Sequence, residues 1–445
     1  MSFDFFFLTV MNIVRLVLYL LVKLYRWTLL PVSDLVLVWL YERDSRVVPS
    51  VDNPLLLKSA TTLAKMIRNH EVKSEEVVKA FIERTKIVNP IVNAMCQNRY
   101  DLALEEARKV DDLLSQSEIA DSYSAKNAPF LGVPLSVKEA FALKGMPNSS
   151  GLKSRRNLIA EEDADVVHNL RKAGAIPYVV TNISELCMWY ESANKVYGRS
   201  KNPYHTGRIV GGSSGGEGCL LGAGSSVIGI GSDIGGSIRM PSFFNGVFGH
   251  RTSKGIVSNV GQYPCAYGPR ADFLSTGPMC RYAEDLLPML EVMAGENAYK
   301  LELHTPVDLK TLKIFYMLDD GGSLMASPVK EDIKDAILKV KDYFKDTYQI
   351  EVKPVSLSKL KYSLEIWMAG LSADPSPGQE FCTYMSDDGN HSINPVVELV
   401  KWLFFLSDHT LPAIALGVTF LLFPLLLFLL LLLLRLLPSS HPPLS

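Results

Sequence analysis

The sequence predicts an α/β fold, in which a sheet carries helices on both faces, with a membrane segment at each end of the chain. Between residues 74 and 237, segments with helical spacing alternate with short runs of strand-forming residues, and this alternation is typical of α/β domains. The mean hydropathy of +0.14 is high for a chain in which 21% of the residues are charged, because the apolar excess lies at the two ends. The 445 residues are enough for one large domain with appendages.

Each element follows from its local pattern, in chain order. Ser74 and the two glutamates after it are typical of a helix start, and the next apolar residues recur with helical spacing. Gly174 ends a later helical segment and precedes a buried strand. The predicted helices begin at Ser74 and cover 102–114, 164–173 and 217–221, and the predicted strands cover 131–137, closed by Lys138, 176–180 and 226–230.

The charge balance and the cysteine pattern argue against nucleic acid and zinc as binding partners. The 45 basic residues nearly balance the 47 acidic ones, for a formal net charge of −2, so the chain lacks the broad positive field that favours nucleic acid. The six cysteines lie far apart, with no Cys-x-x-Cys pair and no nearby histidine cluster. We therefore expect reduced thiols, no zinc site and no nucleic-acid partner.

The C-terminal apolar segment is predicted to cross a membrane. Residues 411–434 contain no charged side chain. As a helix they would reach about 36 Å, more than the roughly 30 Å of a bilayer's hydrocarbon core. Pro424 lies near the middle of the segment and is expected to kink this transmembrane helix.

Residues 1–41 are predicted to be an uncleaved membrane anchor. Arg15 interrupts the apolar run over 5–22, so the run either crosses the bilayer or lies in its interface. Asp4 precedes the run, whereas a signal peptide begins with basic residues. Residues 35–41 carry aromatic side chains, as interfacial helices do.

Two glycine-serine loops are the chief candidates for chemistry. One covers 211–216 before a helix, and the other covers 235–237 after a strand. Glycine lets the backbone approach a ligand closely. A row of exposed N–H groups can bind an oxyanion, beside a serine that attacks the adjacent carbon.

Two other motifs compete with this interpretation. The Gly-x-Ser-x-Gly pattern around Ser214 matches the nucleophile elbow of α/β-hydrolases, but residues 206–210 before it make a poor strand and no histidine is committed to the site. The glycines over 229–235 nearly match a dinucleotide-binding loop, yet the third glycine comes one residue late. Nucleotide binding is therefore disfavoured.

Three sequence blocks resemble the amidase signature family. They cover 132–139, 211–218 and 231–239, in the family's order and at family-like spacing. The resemblance implies a mixed sheet flanked by helices. Segments that also look similar to the family lie at 181–186, 198–203 and 277–281. The predicted organisation is a membrane anchor over 1–41, an amidase signature domain over 54–407 that lacks the family's C-terminal part, and a transmembrane helix over 411–434.

The resemblance implies a Ser-Ser-Lys triad. Ser237 would be the nucleophile, Ser213 the proton relay in a cis linkage, and Lys138 the base that starts the relay. A lysine acts as a base only when neutral, and burial lowers its pKa because desolvation disfavours the ammonium form. No cofactor and no metal are implied. The implied oxyanion hole is Ile234, Gly235, Gly236 and Ser237, and the implied supporting residues are Ser214, Asp233 and Arg239.

The implied function is that of a membrane-bound serine hydrolase that cleaves fatty-acid primary amides and N-acylethanolamides to a free fatty acid and an amine. Its partners would be the lipid amide and membrane lipids, a homodimer is left open, and the expected location is an endomembrane or a lipid droplet, with one or two spans. Because the chain turns into leucines where the family continues, the alternative is a truncated, catalytically impaired membrane-protein variant. A glutamine-dependent amidotransferase subunit shares the triad, but the apolar ends count against it.

Overall fold

The computed structural model describes most of the chain, namely residues 20, 23–25, 28–43, 45–116, 120–323, 327–372, 381–386 and 391–421. These residues belong to two compact units. The larger unit is built from the described parts of Trp39–Leu303 and Asp374–Phe423, and the smaller one includes His304–Ala373. All of the candidate site residues lie in the larger unit.

The elements alternate along the chain as the sequence pattern predicts. Residues 28–42 and 411–421 are also helical. The helices are α1 (Ala60–Arg68), α2 (Ser74–Val92), α3 (Tyr100–Leu114), α4 (Asp165–Lys172), α5 (Gly215–Gly222), α6 (Arg239–Asn245), α7 (Leu286–Ala294), α8 (Glu331–Tyr348), α9 (Ser363–Ser372), α10 (Phe381–Tyr384) and α11 (Pro395–Leu403). The strands are β1 (Met95–Asn98), β2 (Pro134–Lys138), β3 (Ile176–Thr181), β4 (Ala193–Asn194), β5 (Gly198–Arg199), β6 (Lys201–Asn202), β7 (His205–Ile209), β8 (Ile228–Asp233), β9 (Phe248–Gly249), β10 (Ser275–Cys280), β11 (Ile314–Tyr316) and β12 (Val352–Pro354).

A six-stranded mixed sheet forms the centre of the larger unit, in the order β1-β3-β2-β8-β10-β9. β2 lies parallel to both β3 and β8, whereas the other neighbouring pairs are antiparallel. Strands β2, β3, β8 and β10 are buried along their whole length, and apolar side chains of the surrounding helices pack against the sheet. The predicted α/β fold with a mixed sheet flanked by helices is thereby confirmed.

Two strands begin later than the sequence pattern predicts. β2 starts at Pro134, because residues 128–133 form hydrogen-bonded turns. β8 starts at Ile228, because the N–H groups of residues 225–226 donate to the Leu220 carbonyl oxygen at the end of α5. Backbone hydrogen bonds to neighbouring elements therefore override the local strand propensity.

The prediction that residues 206–210 make a poor strand is wrong. His205–Ile209 forms β7, which pairs with β6 in a two-stranded hairpin. The pairing partner, which local residue preference does not reveal, stabilises the strand. β7 does not join the central sheet, so it does not supply the sheet strand that a nucleophile elbow requires.

Among the residues described, no helix is both long and apolar enough to cross a membrane. The predicted N-terminal segment 5–22 lies outside the described residues, apart from Leu20. Residues 422–434 of the predicted C-terminal span also lie outside them.

Two segments with predicted membrane roles are partly or wholly described. The interfacial segment 35–41 belongs to the helix over 28–42, and its Trp39 side chain is exposed. The helix over 411–421 instead packs one face on the larger unit, where Ile414 is buried in an apolar cluster with Leu152. The first half of the predicted C-terminal span therefore packs as part of the larger unit.

Candidate active site

Lys138 lies at the end of a central strand, deep inside the larger unit. Parallel strands flank β2 on both sides, and all five residues of β2 are buried. The Lys138 side chain is completely buried, although lysine is almost always exposed in proteins. Its amine therefore points into the protein and not to solvent.

Two serine hydroxyls hold the Lys138 amine. Its Nζ lies 2.8 Å from Ser213 Oγ and 2.8 Å from Ser232 Oγ. Within the part of the chain that the structure describes, no carboxylate forms an ion pair with this amine. Burial lowers the pKa of Lys138, although nearby thiol and carboxyl groups oppose this shift. The surroundings thus favour the neutral amine that a base requires.

The first glycine-serine loop brings Ser213 to this amine. Ser213 and Ser214 are completely buried, and the Gly212–Ser213 peptide bond is cis. A Cβ atom at Gly212 would lie 2.5 Å from the Trp189 carbonyl oxygen, which is too close for any side chain. Glycine therefore allows the loop to pack directly against the neighbouring backbone.

Asp233 organises the second loop, which carries Ser237. The Asp233 carboxylate accepts hydrogen bonds from the N–H groups of Gly236 at 2.7 Å and Ile238 at 3.1 Å. It also forms two contacts of 3.0 Å with the Arg239 guanidinium. Burial acts to raise the pKa of Asp233, but Arg239 and the backbone N–H groups hold it below its usual value. Asp233 is therefore ionised at neutral pH and fixes the shape of the loop.

Ser237 lies beside the Lys138–Ser213 pair but is not hydrogen-bonded to it. Its side chain is buried, at 6% exposure, and its hydroxyl makes no hydrogen bond to any residue that the structure describes. The two loops meet through their backbones, where the Ser214 N–H donates to the Ser237 carbonyl oxygen at 3.2 Å. The structure thus joins two residues of the predicted triad directly and has the third on the adjoining loop.

The four predicted oxyanion donors are not equivalent. Ile234 directly follows β8. The Gly236 N–H already has an acceptor in the Asp233 carboxylate. The N–H groups of Gly235 and Ser237 have none among the described residues, so these two can receive an oxyanion.

Three buried side chains of the site are not singled out by the sequence motifs. The Ser232 hydroxyl accepts a hydrogen bond from the Lys138 amine. It lies inside the third family-like block, which could have marked it. The Ser192 hydroxyl accepts a hydrogen bond from the Gly215 N–H at 2.9 Å. Glu217 is completely buried on α5. Glu217 lies inside the second family-like block, which could have marked it. No such block contains Ser192, whose partners are distant in sequence.

Sequence comparisons match most of the chain to known amidases. A family model described as Amidase matches residues 76–394. The chain is 52% identical over 377 residues to fatty-acid amide hydrolase 2 of Homo sapiens, covering 84% of this chain and 71% of that protein. It is 51% identical over 398 residues to fatty-acid amide hydrolase 2-A of Danio rerio, covering 89% of this chain and 72% of that protein. The resemblance predicted from the three blocks is confirmed.

The fold is also similar to that of a solved structure. A structure of fatty acid amide hydrolase matches with a TM-score of 0.61 and 26% sequence identity over 80% of this chain. This chain spans 61% of the length of that solved chain. The likeness therefore covers most of this chain but not the whole of the relative.

Proposed function

Since this chain belongs to the amidase family, whose members hydrolyse the carbon–nitrogen bonds of amides, we propose that it is a membrane-attached serine hydrolase of fatty-acid primary amides and N-acylethanolamides. The observation that carries the proposal is the 2.8 Å contact between Lys138 Nζ and Ser213 Oγ in a fully buried setting. Two relatives more than half identical to this chain are named fatty-acid amide hydrolases, which supports a lipid amide as the substrate.

The proposed reaction begins with a proton relay. Ser237 Oγ attacks the amide carbon while its proton passes to Ser213 Oγ, and Ser213 gives its own proton to the neutral Lys138 amine. The relay then reverses, so that the departing nitrogen receives a proton as its bond to carbon breaks. Water attacks the resulting acyl-serine by the same route and releases the fatty acid. This order suits amides, because an unprotonated amine is a poor leaving group.

The developing oxyanion requires donors that are fixed before the reaction. We assign this role to the N–H groups of Gly235 and Ser237, which have no other acceptor among the described residues. Gly236 was expected to donate too, but its N–H binds Asp233 and so holds the loop in shape. Loss of one oxyanion donor typically costs about 2.7–4 kcal/mol of transition-state stabilisation.

The membrane attachment that we propose is supported by an exposed apolar tip. The tip comprises residues 403–406, at and after the end of α11, and Phe404 and Phe405 are 69% and 95% exposed. Leu403 and Leu406 beside them are also exposed. A contiguous apolar surface of this kind marks a membrane or protein interface, and its aromatic and leucine side chains suit the edge of a bilayer.

The proposed function is tested with an activity-based fluorophosphonate and with oleamide as substrate. Ser237→Ala should abolish both labelling and fatty-acid release at an unchanged level of purified protein. Ser253→Ala is the matched control, because Ser253 is exposed, and it should retain both. Labelling that persists in Ser237→Ala and disappears in Ser214→Ala would contradict the proposal and favour the nucleophile elbow.

A further inference from the structure

A second buried carboxyl group lies on the same side of the sheet as the Lys138 amine. Ser136 and Lys138 are two residues apart on β2, so their side chains share one face. Ser136 Oγ lies 2.5 Å from Glu217 Oε2. In the same way, Lys138 Nζ lies 2.8 Å from Ser213 Oγ. One short segment, 213–217, therefore covers both β2 side chains. A Cβ atom at Gly229 would overlap the Glu217 carboxyl, so the sheet leaves room for this side chain.

Within the described part of the chain, the hydrogen-bond partners of the Glu217 carboxyl are neutral hydroxyl groups. Ser136 Oγ contacts one oxygen, and Thr181 Oγ1 lies 2.8 Å from the other. Thr181 is also the β3 residue that pairs with Lys138 across the sheet. Among the residues described, no cation forms an ion pair with Glu217. Glu217 thus lacks the kind of partner that keeps Asp233 ionised.

The hydroxyl of Ser136 can serve either protonation state of Glu217. It lies 3.3 Å from the Ile228 carbonyl oxygen and 2.9 Å from Ser226 Oγ, in addition to its contact with Glu217. It can donate to an ionised Glu217, or donate to Ile228 and accept a hydrogen bond from a protonated Glu217. Neither state leaves the carboxyl without a partner.

We propose that Glu217 is a positioning residue of the proton relay, whose carboxylate charge favours the ammonium form of Lys138 and so sets the pH above which the amine is free to act as base. The inference rests on the proposed function. It assigns to Glu217 a role in the protonation state of the base, without contact with the substrate.

The other groups around Lys138 do not provide this pH-dependent charge. Asp233 is held ionised by Arg239, so its charge stays constant over the working pH range. The Cys187 side chain also lies near the amine, but it has no carboxyl group. Burial raises the pKa of Glu217 to about 8, against its hydrogen bonds with Ser136 and Thr181 and the charge of Lys138. Tyr178, which also faces Glu217, stays neutral because burial raises its pKa.

The test compares the pH dependence of oleamide hydrolysis by the full chain and by Glu217→Gln. Glutamine fills the same volume but has no negative state, so nothing in its place favours the ammonium form of Lys138. The acid limb of kcat/KM should therefore move to lower pH, by about one pH unit. Below the wild-type midpoint, the variant should then retain several times more of its own plateau rate than the wild type does.

Glu139→Gln is the matched control. Glu139 follows Lys138 directly but faces away, where its carboxyl accepts from the Ser149 backbone N–H and hydroxyl, each at 2.6 Å. Its acid limb should coincide with that of the wild type. A role of Glu217 in packing alone would lower the plateau and the fluorophosphonate labelling of Glu217→Gln without moving the limb.

Three results would overturn the inference: an unmoved limb in Glu217→Gln, a shift to higher pH, or an equal shift in Glu139→Gln. If Glu217→Gln fails to fold, Ser136→Ala replaces it. Loss of the Ser136 hydroxyl removes a hydrogen bond from the ionised carboxyl and should likewise move the limb to lower pH, and an unmoved limb would again contradict the inference. If the wild type shows no hydrolysis and no labelling, the proposed function itself has failed.

Discussion

Single residues are adapted to chemistry by what surrounds them. Lysine is normally a cation near neutral pH, and Lys138 becomes a candidate base because the sheet buries it completely and offers it hydroxyl groups in place of a carboxylate. Asp233 shows the opposite treatment, since a guanidinium and backbone N–H groups surround it and keep it ionised. The two side chains differ in function because the surroundings of Lys138 favour its neutral amine, whereas those of Asp233 favour its ionised carboxylate.

Lys138→Ala tests the role of the base. Removing the amine should lower the rate of oleamide hydrolysis by about 10²–10⁴-fold. It should also flatten the rise of kcat/KM with pH, because the group whose deprotonation produces that rise is gone. The measurement is a pH–rate profile for the purified variant.

Lys144→Ala is its control, because Lys144 lies a short distance along the chain and is exposed. This variant should keep both the wild-type rate and the wild-type profile. A Lys138→Ala enzyme with an unchanged pH profile would show that another group accepts the proton.

Secondary-structure elements supply the site through their ends. β2 and β8 run parallel as neighbours, so Lys138 and the Ser237 loop emerge at the same edge of the sheet. A separate contact ties the C-terminal helices to the unit, because the buried Glu185 carboxylate accepts from the Thr410 N–H at 2.7 Å. This docking leaves the apolar tip, residues 403–406, facing outward.

Hydrogen exchange tests the membrane role of the apolar tip. Adding phospholipid vesicles to the full chain should protect the backbone amides of residues 403–406, because the Phe404 and Phe405 side chains enter the bilayer edge. In the double variant with Phe404→Ser and Phe405→Ser this protection should be lost. Burial of a phenylalanine side chain contributes about 1.5–3 kcal/mol, so local binding should weaken by at least about tenfold.

Tyr299→Ser provides the comparison for this prediction, since Tyr299 is 76% exposed yet lies outside the tip. Its vesicle-induced protection pattern should match that of the wild type. Equal protection of the tip in the double phenylalanine variant would mean that these side chains do not enter the lipid.

At the scale of the whole molecule, several buried ionisable groups lower the free energy of unfolding. Lys138, Glu139 and Glu217 are completely buried, and Glu139 Oε2 has no hydrogen-bond partner among the residues that the structure describes. Burial raises the pKa of Glu139 to about 7, against the hydrogen bonds from Ser149 and Tyr197. The folded chain therefore holds a proton on Glu139 that the unfolded chain releases at lower pH.

The stability of the chain should consequently depend on pH through Glu139. An unfolded glutamate has a pKa of about 4.3, so the favourable contribution of the protonated folded form is complete below that pH and is lost as the pH rises to about 7. The loss amounts to about 4 kcal/mol at most. Glu139→Gln removes this pH-dependent loss of stability. The melting temperature of the variant minus that of the wild type should therefore increase from acid to neutral pH.

Glu105→Gln is the control for this stability prediction, because Glu105 is exposed and its pKa is lowered by the hydrogen bond and charge of Lys109. Its melting temperature relative to the wild type should not rise with pH. If the Glu139→Gln difference is also constant with pH, Glu139 is ionised in the folded chain and the assignment of its proton is wrong.

The sequence by itself determined the α/β class, the helices and central strands predicted between residues 74 and 230, and the loops that carry Ser213 and Ser237. These features depend on local periodicity, turn residues and short motifs, which act over a few residues. The tertiary structure alone decided the rest: the sharing of the Lys138 amine by Ser232, the capture of the Gly236 N–H by Asp233, and the burial of Glu217 behind the relay. Lys138 and Ser213 are 75 residues apart, and strand order, which no local pattern contains, determines which groups meet across such a separation.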